Sequence, residues 1–230
     1  MSNMRSARGL LIGACTVLAF AGAAQAVTVK QIEDGLVRYM NDGFKCTGLK
    51  VVVQTFDDPQ AVQEGHLKLV HITVTRADFE GITMHELSLK AYDVKLVVSA
   101  LLQQNKLLTN RAKNMTMHAR FTEAEMNEAL KTKKMPIQNF QVNFQGGKLV
   151  ATGTHRFLVG NQLKMIAHLE PKDDGVHLVA EKVWVNGLPL PVGQLKKLID
   201  KMNPLINLER LPFHPKAKTI TIHEQDLEVS

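Results

Sequence analysis

The chain has 230 residues, 45% of them hydrophobic, with a formal charge of +6 and two cysteines. That is enough apolar material for a substantial core. It is too little cysteine for a disulfide scaffold and too small a basic excess to argue nucleic-acid binding.

The first residues, MSNMRSARG, place Arg5 and Arg8 before the apolar run LLIGACTVLAFAGAA, which ends in Ala24-Gln25-Ala26. A basic region, a short apolar region and an A-x-A site predict a secretory signal peptide over 1–26, cleaved after Ala26. Cys15 follows a loose lipobox, but only Gly9 to Leu11 precede that box, too few for an apolar region of their own. The predicted mature chain, 27–230, is one domain with 26 basic and 22 acidic residues, a charge of +4. Only Cys46 remains in it, so no intrachain disulfide forms and packing must supply the stability. Cys46 itself reads as a small, buried residue rather than a nucleophile.

In chain order, Val29, Ile32, Leu36, Val37 and Met40 recur at helical spacing, interrupted by Gly35, and Asn41-Asp42-Gly43 ends the helix. LKVVVQTF (49–56) and HLKLVHITVT (66–75) read as strands. In MHELSLKAYDVKLVVSALL, Leu87, Leu89 and Ala91 share one face, and Val94, Leu96 and Val98 share the other parity. Such a one-residue shift predicts a β-bulge or sharp bend. A weaker strand over 107–121 leads to Thr122, where Thr122 and Glu125 form a capping box opening a helix that Met135-Pro136 stops. Phe140, Val142 and Phe144 then alternate with Gln141, Asn143 and Gln145 in a hairpin turning at Gly146-Gly147. Leu163, Met165, Ala167 and Leu169 alternate in the next strand. Asp173-Asp174-Gly175 turns it into 176–185, which carries another parity shift near Glu181. A helix stripe follows: Val192, Leu195, Leu198, Ile199 and Met202, opposite Lys196, Lys197, Asp200 and Lys201. The segment KTITIHEQDLEVS (218–230) closes as a short hairpin.

Strands in meander order with short turns predict a mostly antiparallel sheet. Three helices are too few to cover both its faces. The predicted fold is α+β: a long, strongly bent sheet rolled around one or two helices, with a flat two-layer sandwich as the alternative.

Catalytic chemistry finds no footing. No two of the nine histidines stand at i, i+2 on a strand, and His85-Glu86 lacks the second histidine of a zinc-protease motif, since Leu89 stands in that place. No nucleophile elbow, phosphate loop or dinucleotide fingerprint occurs. The reading is therefore no enzyme, no metal and no cofactor. What is positive is apolar: a bent sheet around a helix encloses an apolar space, and the ten methionines suit an adaptable lining.

Several segments resemble the LmeA-like phospholipid-binding family of secreted bacterial proteins, related in shape to tubular lipid-binding (TULIP) domains. They are LSLKAYDVKLVVSALLQQNKL, FTEAEMNEAL, FQVNFQGGKLVATG, LKMIAHLEPKDDGVHLVAEKVWVNG, LPLPVGQLKKLIDKMNPLI and the closing ITIHEQDLEV. The chain departs from the pattern at Leu211-Pro212-Phe213-His214, where a Gly-containing turn is expected. The resemblance implies an elongated sheet wrapped on a helix, binding phospholipid or another acyl lipid outside the cytoplasm. It carries no catalytic residues. On this reading Phe140, Val142, Phe144, Leu195, Leu198, Ile199 and Met202 form the apolar lining. The protein is exported to the periplasm or cell envelope, with peripheral membrane contact compatible with its charge. Nucleic acid is not a partner, and protein partners are not identified. The alternative is a non-enzymatic envelope scaffold or protein-interaction module with a packed interior; an envelope hydrolase ranks third.

Overall fold

In the computed structural model the described residues are 26–79, 81–132, 137–155 and 161–230. The predicted leader before Ala26, Glu80 of the first hairpin and the helix stop at Met135-Pro136 lie outside them. The chain begins with helix α1 (Val29–Gly43), capped by Thr28, whose hydroxyl accepts from the Gln31 N–H while the Gln31 side chain accepts from the Thr28 N–H. Its stripe Ile32, Leu36 and Met40 is fully buried. Next come β1 (Lys45–Thr47), β2 (Lys50–Thr55), α2 (Pro59–Gln63), β3 (His66–Phe79) and β4 (Ile82–Leu96). They are followed by α3 (Val98–Gln104) and β5 (Thr109–Thr122).

The stretch Val98–Leu102, which reads as strand, is helical for a tertiary reason. Gly35 of α1 lies against Leu101 and Leu102, where an added Cβ would stand 3.0 Å from Leu101 Cγ. The glycine that weakens α1 by propensity is what lets α3 approach, burying Ala100 and Leu101. Asn105 ends α3 in the left-handed conformation.

The second half runs α4 (Glu123–Thr132), β6 (Ile137–Gln145), β7 (Lys148–His155), β8 (Gln162–Lys172), β9 (Gly175–Val185) and β10 (Leu188–Leu190). A 3-10 turn (Val192–Leu195), α5 (Lys196–Asp200), β11 (Ile206–Asn207), β12 (Ile220–Ile222) and β13 (Asp226–Val229) complete the chain. The predicted helix over 192–202 is thus a 3-10 turn joined to five α-helical residues. The capping box at α4 forms as expected: the Glu125 N–H donates to Thr122 Oγ1 at 3.3 Å, and that hydroxyl donates to Glu125 Oε2 at 2.6 Å.

Two antiparallel sheets result. The first has the order β1-β3-β4-β5-β13-β12, with β2 beside β1 on the same side of β3. The second has the order β10-β9-β8-β7-β6, with β11 also on β9. One sheet is curled as a half-barrel, so the α+β fold with a strongly curved sheet stands. The curvature comes from residues inserted in the left-handed conformation. In β4 the buried parity switches between Met84 and Leu87 at Glu86 (φ 52°), and between Ala91 and Val94 at Asp93 (φ 49°). The second switch is the one its sequence announces. Asn114 does the same in β5 and Asn139 in β6. In β9 the pairing with β8 skips Glu181, where the other parity shift was expected. Each bulge bends its strand and raises the local twist.

Asp93 at its bulge is held by the cations Arg111 and Lys113, the latter at 3.0 Å, and by the His66 ring at 2.8 Å. The Arg111 bond first, then those of His66 and Lys113, keep its carboxyl far below the usual range. A carboxyl depressed in the fold contributes stability that is present above its unfolded value of 3.8 and lost as pH falls below it. Asp93→Asn keeps a residue that tolerates positive φ and removes only the charge. We expect the variant to melt lower at pH 7, with the gap narrowing toward pH 2; a gap independent of pH would show that the cations do not act through this carboxylate.

The sheet edges are closed by side chains. Asn127 of α4 accepts from the Val142 N–H at 2.7 Å and donates to the Val142 carbonyl at 2.8 Å, and Glu123 accepts from the Phe144 N–H. Asn203 does the same for Leu178 on β9, at 2.8 and 3.0 Å. Glu33 of α1 accepts from the Val53 N–H on β2. A contiguous apolar cluster includes residues of both sheets, α1, α4 and α5.

Candidate functional site

The second sheet presents one apolar face built by register. Antiparallel pairing aligns Val142, Ala151, Met165, Val183 and Leu190 in one row across β6, β7, β8, β9 and β10. A parallel row runs through Phe144, Leu149, Ala167 and Ala180, and another through Gly153, Leu163, Val185 and Leu188. Tight turns set this register, at Gly146-Gly147 (φ 59° and 72°) and Asn186-Gly187 (φ 50° and 78°), conformations glycine and asparagine adopt at least cost. At its β6 side the face is fully buried, with Val142 at 0% and Phe144 at 5% exposure. At its β10 side it emerges into solvent: Leu163 is 5% exposed, Val185 partly so, and Leu188 72%.

The seven predicted lining residues fall on the two flanks of this face. Phe140, Val142 and Phe144 point from β6 into the core, and α4 packs on β6. Ile199 and Met202 are buried in the same apolar cluster, and Leu195 and Leu198 are partly exposed beside it. The 3-10 turn and α5 contact β9. Strands β7 and β8 lie between the two groups, so three strand spacings, roughly 14 Å, separate β6 from β9. The residues joining them are Ala151, Leu163, Met165, Val183, Val185, Leu188 and Leu190. Their period-2 alternation is visible in the sequence, but which of them line up is a matter of register.

A groove of about 630 Å³ opens at the same end, lined by Asn139, Thr152, Gly153, Thr154, Gln162, Leu163, Lys164, Trp184 and Gly187. Gly153 has no room for a side chain there, because a Cβ would stand 2.4 Å from Ile137 Cγ2. Two further grooves, of about 460 and 410 Å³, lie beside α3 and at the end of α1. The segment Leu211–His214 explains its departure from the expected glycine turn. Phe213 (φ 65°) and His214 (φ 50°) both adopt the left-handed conformation that glycine would favour, with Phe213 buried as its anchor.

Four histidines away from this groove are each paired with a polar side chain. His66 meets Asp93, His71 meets Ser88 at 3.1 Å, His85 meets Glu125 at 2.7 Å, and His177 meets Asp174 at 2.6 Å. Burial alone would raise the Glu125 carboxyl, but Thr122 and His85 together hold it below the usual range. Among the described residues no three His, Cys, Asp or Glu side chains come together as a metal site. Cys46 is half-buried, and burial first, then Asp78, pushes its thiol up to about 11, so it is a poor nucleophile near neutrality. We therefore expect the same melting temperature with and without reductant or EDTA. A fall of several degrees with EDTA would reveal a metal-linked fold.

Among known proteins, the sequence model of the family described as LmeA-like phospholipid-binding matches residues 20–230, nearly the whole chain. No curated protein and no solved structure matches it.

Proposed function

The chain belongs to the LmeA-like phospholipid-binding family, and on that premise we propose that it is an exported envelope protein holding the acyl chains of a phospholipid against the apolar face of its second sheet. A lipid-binding family, not an enzyme family, is indicated. The observation that carries the reading is the apolar face itself, buried at β6 and open at β10. A lipid-binding face needs no reacting group. Its work is desolvation, at about 0.8 kcal/mol per buried CH₂. Leu195 and Leu198, partly exposed beside β9, mark where acyl chains would pass between solvent and the face. The lining we propose is Phe140, Val142, Phe144, Leu195, Leu198, Ile199 and Met202, with transfer or presentation of lipid at a membrane surface as its task.

The complete burial of Val142 and Leu149 within the protein supports the second reading, a scaffold whose interior is packed protein. Organic extraction of the protein from its host, followed by mass spectrometry, separates the two. We expect about one phospholipid per chain and an N-terminus at Val27. Protein without bound lipid favours the scaffold, and a retained leader defeats export.

A further inference from the structure

We propose that the edge formed by β10 and α5 docks on the surface of an anionic phospholipid bilayer. This deepens the phospholipid reading by naming the surface through which the protein meets its lipid source. Leu188, on β10, is the most exposed large hydrophobic side chain among the described residues. It follows the tight Asn186-Gly187 turn and shares its face with Val185, so the apolar rows of the sheet end in solvent at this point.

The chemistry of the edge selects the occupant. In Leu188-Pro189-Leu190-Pro191, two of four residues have no N–H. A protein strand seeking to extend the sheet would find few donors on this edge. A bilayer requires none, because it receives side chains rather than backbone. The charges are complementary to an anionic surface. Lys164, Lys182, Lys196, Lys197 and Lys201 are all exposed. None of them stands within 4.0 Å of a carboxylate among the described residues. The adjacent acids are Asp200 on α5 and Glu181 on β9, and Glu181 is occupied by Lys148 and His168. An apolar tip flanked by unpaired lysines is the composition of an interfacial anchor on anionic lipid. Trp184, one residue before Val185 and therefore on the other face of the sheet, flanks the same edge from that side, between Lys164 on β8 and Pro189 on β10 and itself partly buried, and tryptophan is favoured at membrane surfaces.

Trp184 is the single tryptophan of the chain and therefore a built-in probe of this edge. The full chain as isolated from its host would be mixed with vesicles of equimolar phosphatidylglycerol and phosphatidylcholine, and with vesicles of phosphatidylcholine alone. We expect co-sedimentation with the anionic vesicles, at least tenfold weaker on the neutral ones and weakened by salt. Trp184 emission should shift to the blue and be quenched by brominated acyl chains. Leu188→Gln should weaken vesicle binding about tenfold, and a Lys196→Gln, Lys197→Gln, Lys201→Gln variant should abolish the preference for anionic vesicles, both with unchanged melting. Unchanged binding of Leu188→Gln, equal binding to both vesicles, or binding without any response of Trp184 would overturn the proposal. Extractable lipid without vesicle docking refutes this surface alone, whereas docking by a protein that yields no extractable lipid supports the surface and refutes the interior site.

Discussion

Leu198→Asp should strip the protein of extractable lipid while leaving it folded. Leu198 is partly exposed beside β9 and borders the buried cluster that holds Ile199 and Met202. A carboxylate there reaches solvent when the site is empty, so water relieves its charge and the melting temperature should change by only a few degrees. With acyl chains in place the same carboxylate faces hydrocarbon, which costs several kcal/mol. A penalty of about 4 kcal/mol corresponds to roughly a thousandfold in Kd, enough to abolish micromolar retention. Phe144→Asp is the contrasting variant. Phe144 is 5% exposed, in register with Leu149 under α4, so its replacement should unfold the protein whether or not lipid is bound. The measurements are lipid per chain by mass spectrometry and thermal melts for parent and both variants. A folded Leu198→Asp protein that retains its full lipid complement would remove Leu198 from the lining.

The second large effect is expected at the sheet edge. Asn127→Ala removes both hydrogen bonds that the Val142 N–H and carbonyl make to α4. Val142 is completely buried, so its backbone groups have no ready replacement, and each unsatisfied group costs about 1–3 kcal/mol. A total of about 3 kcal/mol corresponds to a fall of roughly 6–12 °C for a chain of this size. Asn203→Ala, which frees Leu178 at the opposite edge, should act similarly. The two sites lie on β6 and β9, so the double variant should show close to the sum of the single effects. A drop below about 2 °C in Asn127→Ala would mean that α4 is held by apolar packing alone, through Met126, Ala129 and Leu130.

Much of the architecture was legible as local chemistry. Alternation over 140–144 and 163–169 marks strands because side chains change face at every residue. The shifts after Ala91 and near Glu181 reveal bulges because an inserted residue must move the buried set to the other parity. Thr122 and Glu125 announce α4 because a helix start needs partners for its free N–H groups. Other features defeat local reading. Val98 to Leu102 has strand composition, yet it is helical where α3 packs closely against Gly35 of α1. The stripe from Val192 to Met202 has helical spacing, yet the chain there is a 3-10 turn and a short α-helix shaped by its contact with β9. Asn127 and Asn203 look like ordinary surface amides until the edges they close are known.

By itself, then, the sequence determined where strands, turns and bends lie and which side chains are apolar, because those depend on neighbours within a few residues. Only the tertiary structure decided that Gly153, Leu163, Val185 and Leu188 form one row and that this row ends in solvent rather than under a helix. Register joins residues far apart in the chain, and exposure depends on which element covers an edge. Neither quantity is encoded in the spacing of one strand.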